Sequence, residues 1–149
     1  MKKLIYLPLL TLVILVVSCS KSETTDPATD LTTQNNMVST GDWKVTQYLD
    51  SGIDETSDFS GLNFSFNTDG TIVASSTTAS FTGTWSLASQ TGSDDPATDD
   101  KFHKFTIDVA GDKLMNKVSK KWLAEKVTAT EIWLRDDNVL SNETLRFGK

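Results

Sequence analysis

The sequence predicts an all-β fold: about eight antiparallel strands in a meander that closes into a small barrel, with one short helix over 112–120. Three observations carry this. Apolar and polar residues alternate with period two in segment after segment beyond Gly41, the pattern of strands with one face in a core and one in water. The segments are joined mainly by short polar turns, so neighbours in sequence become neighbours in the sheet. Eight strands are also enough for a meander to close on itself and remove its exposed edges. A two-sheet sandwich is the runner-up architecture.

The first strand begins at Trp43, with Trp43, Val45, Gln47 and Leu49 assigned to one face and Lys44, Thr46 and Tyr48 to the other. Leu62, Phe64 and Phe66 alternate with Asn63, Ser65 and Asn67 in the second. Asn67-Thr68-Asp69-Gly70 supplies a turn, because glycine takes positive φ without steric cost, and Thr71 to Ser75 returns as the third strand. Phe81, Gly83, Trp85 and Leu87 alternate with Thr82, Thr84 and Ser86, and Phe105, Ile107 and Val109 with Lys104, Thr106 and Asp108. Leu114, Met115 and Val118 then fall at helical spacing, with Asp112 placed to cap the start. Trp122 to Thr128 and Glu131 to Arg135 form a hairpin about Ala129-Thr130, and Thr144 to Phe147 is the last strand. The aromatic residues assigned to the interior are Phe64, Phe66, Phe81, Trp85, Phe105, Trp122 and Trp133.

Ahead of the barrel, Lys2 and Lys3 precede an apolar run from Leu4 to Val17 that Pro8 and Thr11 interrupt. A short basic region, an apolar core and a small residue make a secretory signal peptide, and the run falls short of the roughly 20 apolar residues of a membrane span. The only cysteine, Cys19, follows Ser18 at its end. Val16-Val17-Ser18-Cys19 resembles the lipobox of bacterial lipoproteins. The resemblance implies cleavage before Cys19, diacylglycerol on its thiol and an acylated amino group. A thiolate is a strong nucleophile and suits that transfer, and several acyl chains are needed for a durable anchor. With no second cysteine there is no intramolecular disulfide, so stability rests on the core.

Cleavage would take away 18 of the 149 residues and two of the 14 basic ones, leaving 131 residues with 12 basic against 20 acidic, a formal charge of −8. That balance argues against nucleic acid, which requires a basic face, and against binding anionic membrane surfaces by charge, so the lipid and not electrostatics is expected to hold the protein to a bilayer. The membrane is a partner through the lipid on Cys19. Residues 19–40 are polar and rich in Ser, Thr, Asp and Asn, a composition that buries too little to order itself, so they read as the lipidated cysteine and a flexible tether. Lys21-Ser22-Glu23 and Asp26 loosely resemble the charged export signals of surface lipoproteins of the Bacteroidota. An outer-membrane lipoprotein on the periplasmic or the surface face is the expected location. Residues 41–149 are the barrel domain.

Gly41-Asp42-Trp43 resembles the G-x-W signature that opens the first strand of lipocalins, and Leu145-Arg146-Phe147 resembles their closing arginine strand. With the lipobox, the tether, Asp69-Gly70-Thr71, Gly83-Thr84-Trp85 and Trp122-Leu123-Ala124, the whole chain looks like the lipocalin-like lipoproteins of the Bacteroidota. The resemblance implies that Trp43 closes one end of the barrel and that Arg146 packs over its ring by cation–π attraction. The chain is short for a lipocalin and has no disulfide.

Catalytic chemistry finds little material. His103 is the only histidine and reads as a surface strand residue. It has no sulfur ligand to share a metal and no motif partner to activate a nucleophile, so no enzyme activity, no metal and no cofactor are expected. Asp94, Asp95, Asp99 and Asp100 in Thr91–Asp100 lack calcium-loop spacing and read as a solvated hairpin loop. Two functional readings stay open. Phe64, Phe66, Trp85, Phe105 and Trp122 line a pocket for a small apolar ligand. Alternatively, large side chains fill the barrel, and it serves as a structural or interaction module for an envelope protein partner. A filled interior together with an exposed apolar patch favours the second.

Overall fold

The computed structural model describes residues 27–89, 102–138 and 140–149. A helix α1 (Pro27–Val38) precedes nine strands: β1 (Asp42–Asp50), β2 (Ile53–Asp54), β3 (Asn63–Phe66), β4 (Thr71–Ser75), β5 (Ser80–Ala88), β6 (His103–Val109), β7 (Lys121–Val127), β8 (Glu131–Asp136) and β9 (Thr144–Gly148). A 3-10 turn (Thr56–Phe59) lies between β2 and β3, and a second helix α2 (Lys113–Val118) between β6 and β7. The sheet runs β2-β1-β3-β4-β5-β6-β7-β8-β9, and β9 pairs back onto β1. Every pairing is antiparallel. The two-residue β2 lies outside the ring, leaving the closed eight-stranded meander expected.

The predicted local devices are present. Asp112 Oδ1 accepts from the amides of Leu114 (2.9 Å) and Met115 (3.2 Å), capping α2, and satisfies two donors that a helix start leaves unpaired. Gly70 has φ +84, and Asp69 Oδ1 accepts from Thr71 N at 2.9 Å and Thr71 Oγ1 at 2.7 Å. Those two bonds hold the Asp69 carboxyl below its usual range. The next aromatic strand locks onto this turn: Trp85 Nε1 donates to Asn67 O at 2.9 Å and Trp85 N to Gly70 O at 2.8 Å. Gly83 serves close approach, since a Cβ there would lie 2.0 Å from Asp108 O on β6.

Three expectations are corrected. First, the strand β1 does not keep one parity. A bulge between Val45 and Gln47 shifts its register against β9. One extra residue exchanges the two faces, so Trp43 and Tyr48 are both buried and Leu49 is not. Second, the latter half of the segment expected as a tether is helical. Leu31, Gln34, Asn35 and Val38 are spaced to share a face of α1. Leu31 packs on the core, Val38 is fully buried, and Asn35 Nδ2 donates to Leu87 O at 3.3 Å. The helix therefore caps the barrel end where β1 begins and β5 finishes. Burial of Val38 contributes about 1.5–3 kcal/mol, enough to hold a short polar helix that would not form alone. Third, Trp133 is outside the core. Ile132 and Leu134 point inward in β8 and Trp133 lies between them on the outer face. Phe81, by contrast, packs partly buried against the core.

Candidate functional site

The five residues expected to line a pocket are brought together. Phe64, Phe105 and Trp122 are fully buried, Phe66 is 1% exposed and Trp85 7%. They contact one another more than they enclose space. The Phe66 ring is the hub, with centroids at 5.4 Å to Trp85, 5.6 Å to Phe105 and 5.6 Å to Phe147, all edge-on. Trp85 stacks on Phe105 at 5.7 Å, and Phe64 meets Phe147 edge-on at 5.2 Å. Edge-to-face geometry places a ring's positive rim on its neighbour's negative face and contributes about 0.5–1.5 kcal/mol per pair beyond area burial. Trp122 lies toward the far end, where its Nε1 donates to Val118 O at 3.0 Å under α2.

Trp43 and Arg146 are not in contact as expected. Trp43 is buried and donates through Nε1 to Val38 O at 2.8 Å, and Lys149 Nζ stands 4.3 Å from its ring centroid. Arg146 alternates with the buried Leu145 and Phe147 and so faces outward. There its guanidinium carbon lies 4.3 Å from the Trp133 ring, which also receives Lys126 Nζ at 4.4 Å. The terminal cation of the closing contact is Lys149, one strand parity away from Arg146. His103 is also corrected: it is 8% exposed and aligned with the inward residues of β6. Cys19 and the aspartates 94, 95, 99 and 100 lie outside the described residues.

The end away from α1 is closed differently. Phe59 of the 3-10 turn and Met115 and Val118 of α2 are buried there. Tyr48 meets Phe59 edge-on at 5.2 Å. Lys117 Nζ bridges Glu55 and Asp58 at 2.7 Å each. The hydrogen bonds it donates to Asp58 and then to Glu55 push the Lys117 ammonium above its ordinary range, which keeps it a cation and unsuited to act as base or nucleophile. Burial, and then the charge of Glu143, raises the Tyr48 phenol above its ordinary range, so it is no more available. A surface hollow of about 540 Å³ lies beside this cluster, lined by Asp58, Asp112, Lys113, Leu114 and Lys117. Among the described residues no group of three or more His, Cys, Asp or Glu is placed to hold a metal ion. The loops here carry two exposed apolar side chains, Ile53 at 66% and Leu140 at 89%. Ser51 Oγ donates to Ser141 O at 3.4 Å, which holds the two loops side by side.

No family model and no curated protein matches the chain. Among solved structures it is similar to a DUF4847 family protein from Bacteroides vulgatus ATCC 8482, with a TM-score of 0.51 and 14% sequence identity over 76% of this chain and 95% of that one. The likeness is one of fold. It fits a lipocalin-like barrel at the level of architecture and carries no ligand or activity to this chain.

Proposed function

We propose that this protein is a lipid-anchored, non-catalytic module of the cell envelope, attached through Cys19, that works through its outer surface and not by enclosing a ligand. The observation that carries the reading is the packing of Phe66: its ring contacts Trp85, Phe105 and Phe147 in the space that an apolar ligand would need. A small barrel has interior for its own side chains or for one small ligand, and here the side chains take it. At the end away from α1, Ile53 and Leu140 are exposed on neighbouring loops, and we take these loops as the place where an envelope protein partner would dock. The lipobox supports the anchor, and the outer membrane is the location proposed.

The test is intact-mass analysis of the protein extracted from its host membrane under native conditions. The expected species is a chain beginning at Cys19 with its acyl groups and no further small molecule. A second apolar molecule retained one per chain would favour the ligand reading. An unmodified Cys19 would remove the anchor.

A further inference from the structure

The net negative charge of the chain conceals a local reversal. Of the described basic residues, Lys104, Lys117, Lys120, Lys126 and Arg135 have carboxylate partners. Lys44, Lys113, Lys121, Arg146 and Lys149 have no ion pair among the described residues. Lys113 and Lys121 lie at the far end, in α2 and at the start of β7, while Lys44, Arg146 and Lys149 gather on β1, on β9 and just after it, toward the α1 end of the barrel. Lys44 is opposite Gly148 and Arg146 opposite Gln47, so Lys44 and Arg146 share the outer face as diagonal neighbours, about 7–8 Å apart by sheet geometry. Lys149 follows Gly148, with its ammonium over Trp43 at the rim. Trp133, part exposed, stands beside them with Lys126 on its other side. Of the nearby carboxylates, Glu131 is paired with Lys126, while Asp42 accepts from Ser65 Oγ at 2.5 Å and keeps its charge, so the three cations outnumber it.

This end is also the one tied to the anchor. Helix α1 leads directly into β1, and Lys149 lines a hollow of about 270 Å³ with Thr33, Asn36, Met37 and Thr40 of α1 or its exit. From Cys19 to Pro27 the chain makes eight steps, which reach at most about 29 Å. A barrel held this close to a bilayer lowers its energy by turning the face that carries Lys44, Arg146 and Lys149 toward anionic headgroups.

We propose that Lys44, Arg146 and Lys149, with Trp133 as an interfacial aromatic, form a docking strip for the anionic phosphate headgroups of the membrane that holds the anchor. The inference rests on lipidation of Cys19. An ammonium or guanidinium near an anionic surface strengthens apposition about fivefold, so three act together, and an indole is well suited to the headgroup layer. The Arg146 guanidinium already rests 4.3 Å from the Trp133 ring centroid, so little side-chain freedom is lost on contact.

The experiment uses the full lipidated protein, its adduct on Cys19 first verified by intact mass, reconstituted into vesicles of phosphatidylcholine alone or of phosphatidylcholine and phosphatidylglycerol in equal parts. Brominated acyl chains report the approach of tryptophan to the bilayer through quenching. Quenching is expected in anionic vesicles, and is expected to fade when salt shortens the screening length to about 3 Å. In neutral vesicles it should be weak. Arg146→Gln should weaken docking about fivefold. Lys44→Glu with Lys149→Glu should abolish it while leaving the circular dichroism of the barrel unchanged, with a small fall in the thermal midpoint as the Lys149 contact with Trp43 is lost. An absent adduct would defeat the anchor reading itself. With the adduct present, equal quenching in both vesicle types or unaltered docking of the double variant would overturn the strip. So would a photo-crosslinker at Thr46 that captures a protein in place of lipid.

Discussion

Replacing Phe66 by alanine tests the filled barrel directly. The ring is 1% exposed and lies 5.4 Å from Trp85 and 5.6 Å from both Phe105 and Phe147 by ring centroid. A buried Phe→Ala change costs about 3–5 kcal/mol from lost transfer energy and the cavity left behind. The three edge-on pairs, at about 0.5–1.5 kcal/mol each, are contained within that figure. A domain is stable by about 5–15 kcal/mol, so the variant should remain folded while losing a large share of its margin. With a urea slope of about 1–3 kcal/mol/M, the midpoint should fall by well over 1 M. Phe66→Leu, which retains most of the volume, should lose less than half as much. The vacated space is lined by Trp85, Phe105 and Phe147, so it should stay dry and admit benzene, as enclosed apolar cavities do. The wild type should not bind it. A loss below about 1 kcal/mol, or benzene binding by the wild type as strong as by the variant, would show that the centre is already open and would refute the packing argument.

Other consequences are as direct. Arg146→Ala and Trp133→Leu should show a coupling of about 0.5–1 kcal/mol in a double-mutant cycle, whereas Arg146→Ala and Trp43→Leu should be additive within about 0.5 kcal/mol; the reverse pattern would restore the closing contact expected from the sequence. Val38→Asp should cost about 3 kcal/mol or more, because it buries a carboxylate against Trp43 and frees α1, and an unchanged thermal midpoint would show that α1 does not dock. Tyr48 should remain a phenol beyond the usual tyrosine range, because burial and then the charge of Glu143 disfavour the phenolate. Its unfolded form loses the proton near pH 10, so above that pH the unfolded state binds fewer protons and stability declines as pH rises. The chain has two tyrosines and Tyr6 falls in residues 1–18, so near-ultraviolet titration of a chain starting at Cys19 reads Tyr48 alone. A phenolate signal near pH 10 with the fold intact would contradict the buried environment.

Most strands were legible because they keep a two-residue alternation, as β3, β4, β6, β8 and β9 do, and the Asp112 cap and Asp69-Gly70-Thr71 turn because each uses a side chain with one evident local role. What was not legible has physical causes. The bulge in β1 has no glycine or proline to mark it; its one trace in the sequence is the pair of successive polar residues Thr46-Gln47, which interrupts the alternation between Val45 and Tyr48. Helix α1 was hidden because only Leu31 and Val38 on its docking face are apolar, with Gln34 and Asn35 between them, and Asn35 docks through a hydrogen bond to Leu87 that hydropathy does not register. The displaced arginine was recoverable in principle: Leu145 and Phe147 inward force Arg146 outward, while Trp43 is inward, so the alternation itself already opposed their contact. The cations over Trp43 and Trp133 were missed because Lys149 lies beyond the predicted strand and Lys126 reaches Trp133 only through a second bulge, between Ala124 and Lys126 in β7.

The two ends of the barrel bear on one question, which way the protein stands. β1 carries nine residues from Asp42 to Asp50. At a rise of about 3.3 Å per residue and a strand tilt of about 40°, it advances about 20 Å along the barrel axis. Lys44 and Lys149 lie at its α1 end, while Ile53 and Leu140 lie beyond its far end. If the strip meets the headgroups through its rim, with Lys44 and Lys149 foremost and the barrel end-on, the apolar pair stands about 15 Å or more from the bilayer, farther than electrostatic attraction to the membrane extends, and free to meet a partner. A barrel lying on its side would place both near the lipid. Probes attached in turn at Thr46 and Leu140 of the lipidated protein separate these poses. The expected result is quenching by brominated lipid at Thr46 and none at Leu140. Equal quenching at both sites would mean that the apolar pair inserts into the bilayer and that Ile53 and Leu140 serve the membrane, not a protein.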